Sequence, residues 1–157
     1  MSLTPAQTAT IKTFVIANYA ANVAASEWSQ IAEKLSGPAN PVVKAWSHNV
    51  PSADMDDAPD YTTFDAISAG KRDSWSFLLA RPRDFARNKV RKWITDIWGN
   101  ATAGSSSEAI LQAGLTNATQ AEAILGGATK TTGTVSGIDR VYIGGMTVGE
   151  VYSMMTP

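Results

Sequence analysis

Cysteine is absent from this 157-residue sequence, and histidine occurs once. Disulfides, thiolate nucleophiles and cysteine-based zinc or iron–sulfur sites are therefore excluded. Charge is also scarce: charged residues make up 17% of the chain, below the usual quarter, and 13 basic against 14 acidic residues leave a formal net charge of −1. A surface with so little charge favours association with other protein chains. It argues against a free-standing nucleic-acid-binding protein.

The sequence also lacks a long apolar run. The best candidate, residues 11–25, is interrupted by Lys12, Asn18 and Asn22 and follows no basic leader, so we interpret it as a helix and not as a signal peptide or membrane span. We expect a protein made in the cytoplasm of its cell. The 44% apolar content is enough, at this length, to bury one domain-sized core without a covalent or metal staple.

Capping signals and apolar spacing predict a mainly α fold, a small bundle of about four to six helices. Thr4-Pro5 opens the first helix, and a capping pattern at residues 62–65 opens a central helix over 62–80. Pro82 fits the first turn of the next helix, predicted over 82–98. Four prolines among residues 36–60 leave room only for a turn of helix near 42–46.

The last thirty residues differ from the rest. Residues 128–137 are rich in Thr and Gly and have no apolar period, residues 140–143 have strand character, and Thr147 caps a short final helix. A helix this short is marginal alone in water and must dock on something. We therefore expect a helical-bundle domain over residues 1–127 and an extended C-terminal arm over 128–157, with a short strand and a short terminal helix.

Charge is segregated along the chain. Residues 71–92 contain eight basic residues against two acidic ones, whereas a purely acidic cluster precedes them at Asp54, Asp56, Asp57, Asp60 and Asp65. In the predicted helix over 82–98, Arg83, Arg87 and Arg91 recur every fourth residue as a stripe, with Lys92 beside it. Three interpretations stay open: pairing with carboxylates of a neighbouring chain, contact with DNA phosphates, or a solvated face.

No pattern in the sequence indicates a catalytic site. His48 has no nucleophile motif beside it, and the glycines match neither a phosphate-binding loop nor a dinucleotide fingerprint. The Asp cluster lacks the glycine and terminal glutamate of a calcium loop. We therefore predict that the protein is not an enzyme and uses no cofactor or metal, and keep a hydrolase built on the Asp cluster as a less favoured hypothesis.

The order of several motifs resembles the small head-tail connector proteins of tailed bacteriophages, also called adaptor or head-completion proteins. The resemblance covers roughly residues 27–155 and rests on the Trp46…Val50-Pro51…Asp54 segment, the Asp-rich run into two helices, the capped Ala118–Leu125 segment and the ending Tyr142-Ile-Gly-Gly-Met-Thr-Val-Gly-Glu-Val151. The family's middle helix is commonly Gln-rich, whereas this chain has Ala-Gly-Lys-Arg-Asp-Ser-Trp there.

What the resemblance implies is a virion neck protein, assembled in the host bacterium. It would form a homo-oligomeric ring, commonly twelve-fold, between the portal protein and the tail or further neck proteins. Such a ring extends the DNA channel of the portal, and genomic DNA passes through it without sequence-specific contact. The alternative, which starts from the basic segment, is a DNA-binding or packaging accessory protein.

The C-terminal arm is the predicted portal-binding element. Short terminal arms of ring assemblies commonly donate a strand or a helix to a partner. The residues expected to contact the portal are Tyr142, Ile143, Val148, Val151, Tyr152 and Met155. Tyr152 is the expected main anchor because aromatic side chains dominate binding hot spots.

Overall fold

The computed structural model describes residues 3–140 and 145–156. Helices make up 55% of it, so the predicted helical majority is confirmed, but a small four-stranded mixed sheet makes the fold α/β and not purely α. A 3-10 helix spans Tyr61–Ala66. The α-helices are α1 (Pro5–Asn18), α2 (Ala20–Ala24), α3 (Trp28–Ser36), α4 (Ser52–Asp56), α5 (Ala69–Leu79), α6 (Asn88–Trp98), α7 (Ser106–Ala113), α8 (Gln120–Leu125) and α9 (Val148–Met155), and the strands are β1 (Lys44–Trp46), β2 (Leu115–Asn117), β3 (Thr129–Thr132) and β4 (Val135–Ile138).

The chain forms two compact units whose segments alternate along the sequence. Unit 1 comprises residues 1–43, 117–128 and 138–157, and unit 2 comprises residues 44–116 and 129–137. Each unit therefore contains residues from before and from after the domain boundary predicted between residues 127 and 128.

Four helices of unit 1 bury one apolar cluster. α3 packs on α8 and α9, and α1 packs on the same two helices. The centre of the cluster is Ile11, Val15, Ile31, Leu35, Ala121 and Val151. The sequence-predicted capping boxes at Thr4, Thr119 and Thr147 all form, so the starts of α1, α8 and α9 are confirmed.

Unit 2 holds most of the sheet, in the order β2-β1-β4-β3, together with α4 to α7. Its apolar cluster includes residues of β1, α4, α5, α6 and α7. Trp75, Leu78 and Ile97 are buried, but Trp93 stays partly exposed at the margin of the cluster. Trp46 of β1 is fully buried and donates its indole N–H to the Lys130 carbonyl at 2.9 Å, which ties the strand to the 129–138 hairpin.

The two central helices are shorter than predicted. The helix expected over 62–80 is divided into the 3-10 helix and α5, and the one expected over 82–98 begins only at Asn88. Residues 82–87 instead form a turn, because Arg83 exchanges both backbone hydrogen bonds with Val50 in an isolated antiparallel bridge, at 2.8 and 3.0 Å. Asp84 then accepts the Ala86 N–H at 3.0 Å, an Asx turn that redirects the chain into α6.

Two segments predicted to be irregular or helical are strands. Residues 44–46, within the expected helical turn at 42–46, form β1, and residues 129–138 of the expected extended arm form the β3–β4 hairpin. The hairpin turns at Gly133, whose φ of +59° favours glycine. A Cβ there would lie 2.1 Å from the Ala101 carbonyl oxygen, so the turn also needs the close approach that only glycine allows.

Candidate interaction surfaces

The terminal helix α9 is docked and not free. Val151 and Met154 on its inner side are buried in the unit 1 core. The backbone leading into the helix is also fixed, because Ser36 Oγ accepts the Met146 N–H at 3.0 Å and donates to the Met146 carbonyl at 3.1 Å. The expectation of an extended arm is therefore wrong for its described residues, because the β3–β4 hairpin belongs to the sheet and α9 docks on its own chain.

The outer side of α9 presents two apolar side chains to solvent. Val148 is 48% exposed and Tyr152 is 54% exposed. They are four residues apart and so lie on one helix face. The Tyr152 ring meets the ring of Trp28 on α3 edge-on, with centroids 6.5 Å apart, which extends the exposed apolar surface onto a second helix. We call Val148, Tyr152 and Trp28 the α9 face.

The six predicted portal contacts therefore separate into groups. Val148 and Tyr152 are exposed, Met155 is half-buried beside the core cluster, and Val151 is fully buried. Val151 is a core residue because its position faces α1 and α3, which corrects its assignment as an anchor on the arm. Tyr142 and Ile143 lie outside the described residues.

The predicted arginine stripe does not form. Arg83 precedes α6 and is only 8% exposed; its guanidinium donates to the carbonyls of Leu78, at 2.8 Å, and Phe77. Arg91 is 1% exposed and donates to the carbonyls of Phe85 and Ala86 and, at 3.1 Å, to Thr132 Oγ. Neither side chain is available to another molecule in this structure.

Four other cations between residues 81 and 92 are exposed. Arg87 is the N-cap of α6 and pairs with Asp84 at 3.1 Å, and Lys92 pairs with Asp96 at 2.8 Å. Arg81 and Lys89 are exposed as well. Salt bridges of this kind between exposed residues contribute about 0–1 kcal/mol, so these charges stay largely available to a partner.

Arg83 organises an aromatic pair between these cations. The rings of Phe77 and Trp93 lie 5.6 Å apart, and the guanidinium of Arg83 lies 5.2 Å from the first centroid and 6.0 Å from the second. Burial, and to a lesser degree the charge of nearby Arg81, lowers the pKa of Arg83. Phe77 is 57% exposed. We call Phe77, Arg81, Lys89, Lys92 and Trp93 the cationic patch.

The aspartate cluster forms an exposed acidic surface. Asp54, Asp56, Asp57, Asp60 and Asp65 are all exposed. Asp56 accepts a hydrogen bond from the Tyr61 hydroxyl. Asp60 caps the 3-10 helix by accepting the Thr62 N–H at 2.9 Å, and Asp65 lies 3.6 Å from Arg72. We call these five residues the acidic edge.

The potential metal ligands of the described residues are dispersed. His48 Nδ1 lies 3.2 Å from Asp84, and in the described part of the chain no group of three or more potential metal ligands is placed to hold an ion. Within residues 3–140 and 145–156, no helix is both long and apolar enough to cross a bilayer. Comparison with protein-family models, curated proteins and solved structures finds no match to this chain.

Proposed function

We propose that this protein is a structural adaptor of a bacteriophage neck, a non-enzymatic subunit of a ring that joins the portal to the tail and extends the DNA channel. The observation that carries the proposal is the α9 face: two exposed apolar side chains on a helix whose other side is buried. The resemblance in motif order supports the same proposal, and the scarcity of charge suits a protein whose role is association. In this proposal it acts in the virion neck after assembly in the host cytoplasm.

The α9 face suits a portal contact because it is already ordered. A free arm would lose conformational entropy on binding, whereas a docked helix has lost most of it during folding. Val148 and Tyr152 then supply apolar area to the partner while Val151 holds the helix in place. Tyr142 and Ile143 remain part of the proposed contact, next to α9 in sequence.

The portal contact is tested with serine variants of α9. We expect Val148→Ser and Tyr152→Ser each to weaken binding to the portal protein of the same phage genome by at least about tenfold, because truncated hot-spot side chains commonly cost about 2 kcal/mol or more. Val42→Ser is the matched control, since Val42 is also an exposed valine of unit 1, at 65% exposure. Equal affinity of all three variants would contradict the α9 face as the contact.

A DNA-binding accessory protein is the second candidate, and the exposed cations Arg81, Arg87, Lys89 and Lys92 favour it. The burial of Arg83 and Arg91 removes two of the eight basic residues that suggested it. Duplex binding by the isolated chain that falls steeply between 50 and 200 mM salt, as phosphate contacts require, would support this candidate over the adaptor.

A further inference from the structure

We infer that unit 2 carries both halves of a head-to-tail contact between copies of this chain, in which the acidic edge of one copy binds the cationic patch of the next. The inference rests on the proposed ring and specifies the partner of a surface within it. It replaces the predicted arginine stripe, whose members Arg83 and Arg91 are buried.

One member of each surface lies near an opposite end of α6. The acidic edge adjoins its C-terminus, because Tyr61, which binds Asp56, packs its ring 5.8 Å from Trp98. The cationic patch includes Lys89 in the first turn. Nine residues separate these positions, which is about 14 Å along a helix axis. The end of the acidic edge at Asp56 is therefore too far from Lys89 for an ion pair between them within one copy.

Charge complementarity identifies the occupant as a second copy. The acidic edge has five exposed carboxylates, and the patch has three exposed cations around exposed Phe77 and partly exposed Trp93. Two cationic patches repel each other, as do two acidic edges, so like surfaces do not pair. A contact between unlike surfaces is heterologous, and repetition of such a contact closes into a ring when the rotation allows it.

The aromatic pair supplies apolar contact area, which charged side chains alone do not. Exposed ion pairs contribute little each and are weakened by salt. Phe77 and Trp93 add apolar area at the centre of the patch, and Arg83 fixes their position from beneath through bonds to the end of α5. The patch thus has an aromatic centre with a charged rim, the usual composition of a protein interface.

Charge reversal tests the contact in the full-length chain. We expect Arg81→Glu/Lys89→Glu and Asp54→Lys/Asp57→Lys each to raise the self-association dissociation constant at least tenfold in sedimentation velocity at 50 mM NaCl. Mixing the two variants should restore association, because each supplies a surface that matches the other. Lys12→Glu/Lys71→Glu, with the same change in net charge outside the patch, should not weaken association. Loss of association in this control, or no rescue on mixing, would overturn the inference.

Cross-linking tests the head-to-tail arrangement directly, since the chain has no native cysteine to interfere. With a short bismaleimide, the double variant Asp57→Cys/Lys92→Cys should give a ladder of species beyond the dimer. Asp57→Cys or Lys92→Cys alone should stop at a low yield of dimer. A wild-type chain that stays monomeric and a double variant without a ladder would overturn the inference. Retained portal binding in that case would leave the adaptor proposal standing.

Discussion

Arg91 connects three parts of unit 2 through one side chain. Its guanidinium binds the carbonyls of Phe85 and Ala86, contacts Thr132 on the hairpin and lies 4.7 Å from the Trp46 ring centroid. A charge this deep in a protein is tolerated only where hydrogen bonds satisfy it. Arg91 is therefore a structural residue, although its position in a basic segment suggested a binding role.

We expect Arg91→Leu to lower the free energy of unfolding by about 3 kcal/mol or more. The change leaves buried carbonyl groups unpaired, at about 1–3 kcal/mol each. Arg87→Leu is the control, because Arg87 is exposed and its pair with Asp84 contributes at most about 1 kcal/mol. Urea denaturation measures both. Similar losses in the two variants would contradict the buried role of Arg91.

The ionisation of Tyr61 can be measured as a test of the hydrogen bond that it makes to the acidic edge. Burial, and next the hydrogen bond to Asp56, raise the pKa of Tyr61 to about 12. Because a raised pKa means that the fold favours the neutral phenol, this contribution to stability is complete below about pH 10 and is lost as the pH rises through 12. In an ultraviolet titration of the four tyrosines we expect the transition near pH 12 to disappear in Tyr61→Phe, whereas Tyr19, whose pKa burial also raises, still titrates late in that variant. A transition near pH 12 that persists in this variant belongs to another residue.

At the scale of elements, the sequence predicted the helix starts that depend on side-chain capping. It did not predict the segments that depend on backbone pairing between distant residues. Thr4, Thr119 and Thr147 each mark a helix start because the capping bond is local, between residues three apart. The start of α6 was misplaced because Arg83 pairs with Val50, a partner more than thirty residues away. The Asp84 Asx turn is a local feature consistent with a helix that begins after residue 84.

The β3–β4 hairpin was missed for a related reason. Its strands are only four residues long, and their Thr-rich sequence has two inward-facing positions, Val135 and Gly137. Pairing with β1, which supplies the buried Trp46, makes these residues a strand. Short strands depend on non-local neighbours more than on intrinsic preference, so the hairpin became visible only in three dimensions.

Gly133→Ala tests the hairpin. Alanine is strained at a positive φ and its Cβ would meet the Ala101 backbone, so we expect a loss of about 1–3 kcal/mol in the free energy of unfolding. Gly149→Ala is the matched control: Gly149 lies in α9 with open space around its Cβ position. It should be neutral or stabilise the fold by up to about 1 kcal/mol. Thermal unfolding that ranks the two variants equally would contradict the turn geometry.

At the scale of the whole molecule, the sequence located apolar and basic positions but did not show which of them the fold buries. Tyr152 and Val148 are exposed, as a binding role requires, but Val151 of the same helix is core. Periodicity identifies an apolar helix face without showing how much of it the rest of the chain covers. The same limit applies to the basic segment, where spacing alone did not separate buried Arg83 and Arg91 from exposed Lys89.

The central claim, that this chain is a portal-binding adaptor, is tested most directly by mass photometry of the wild-type chain mixed with the portal ring of the same phage genome. The adaptor account predicts that the portal peak gains mass until about one 16.6 kDa chain is bound per portal subunit, and that Val148→Ser/Tyr152→Ser reduces this gain whereas Val42→Ser does not. A portal peak that stays at its own mass in micromolar wild-type chain would contradict it.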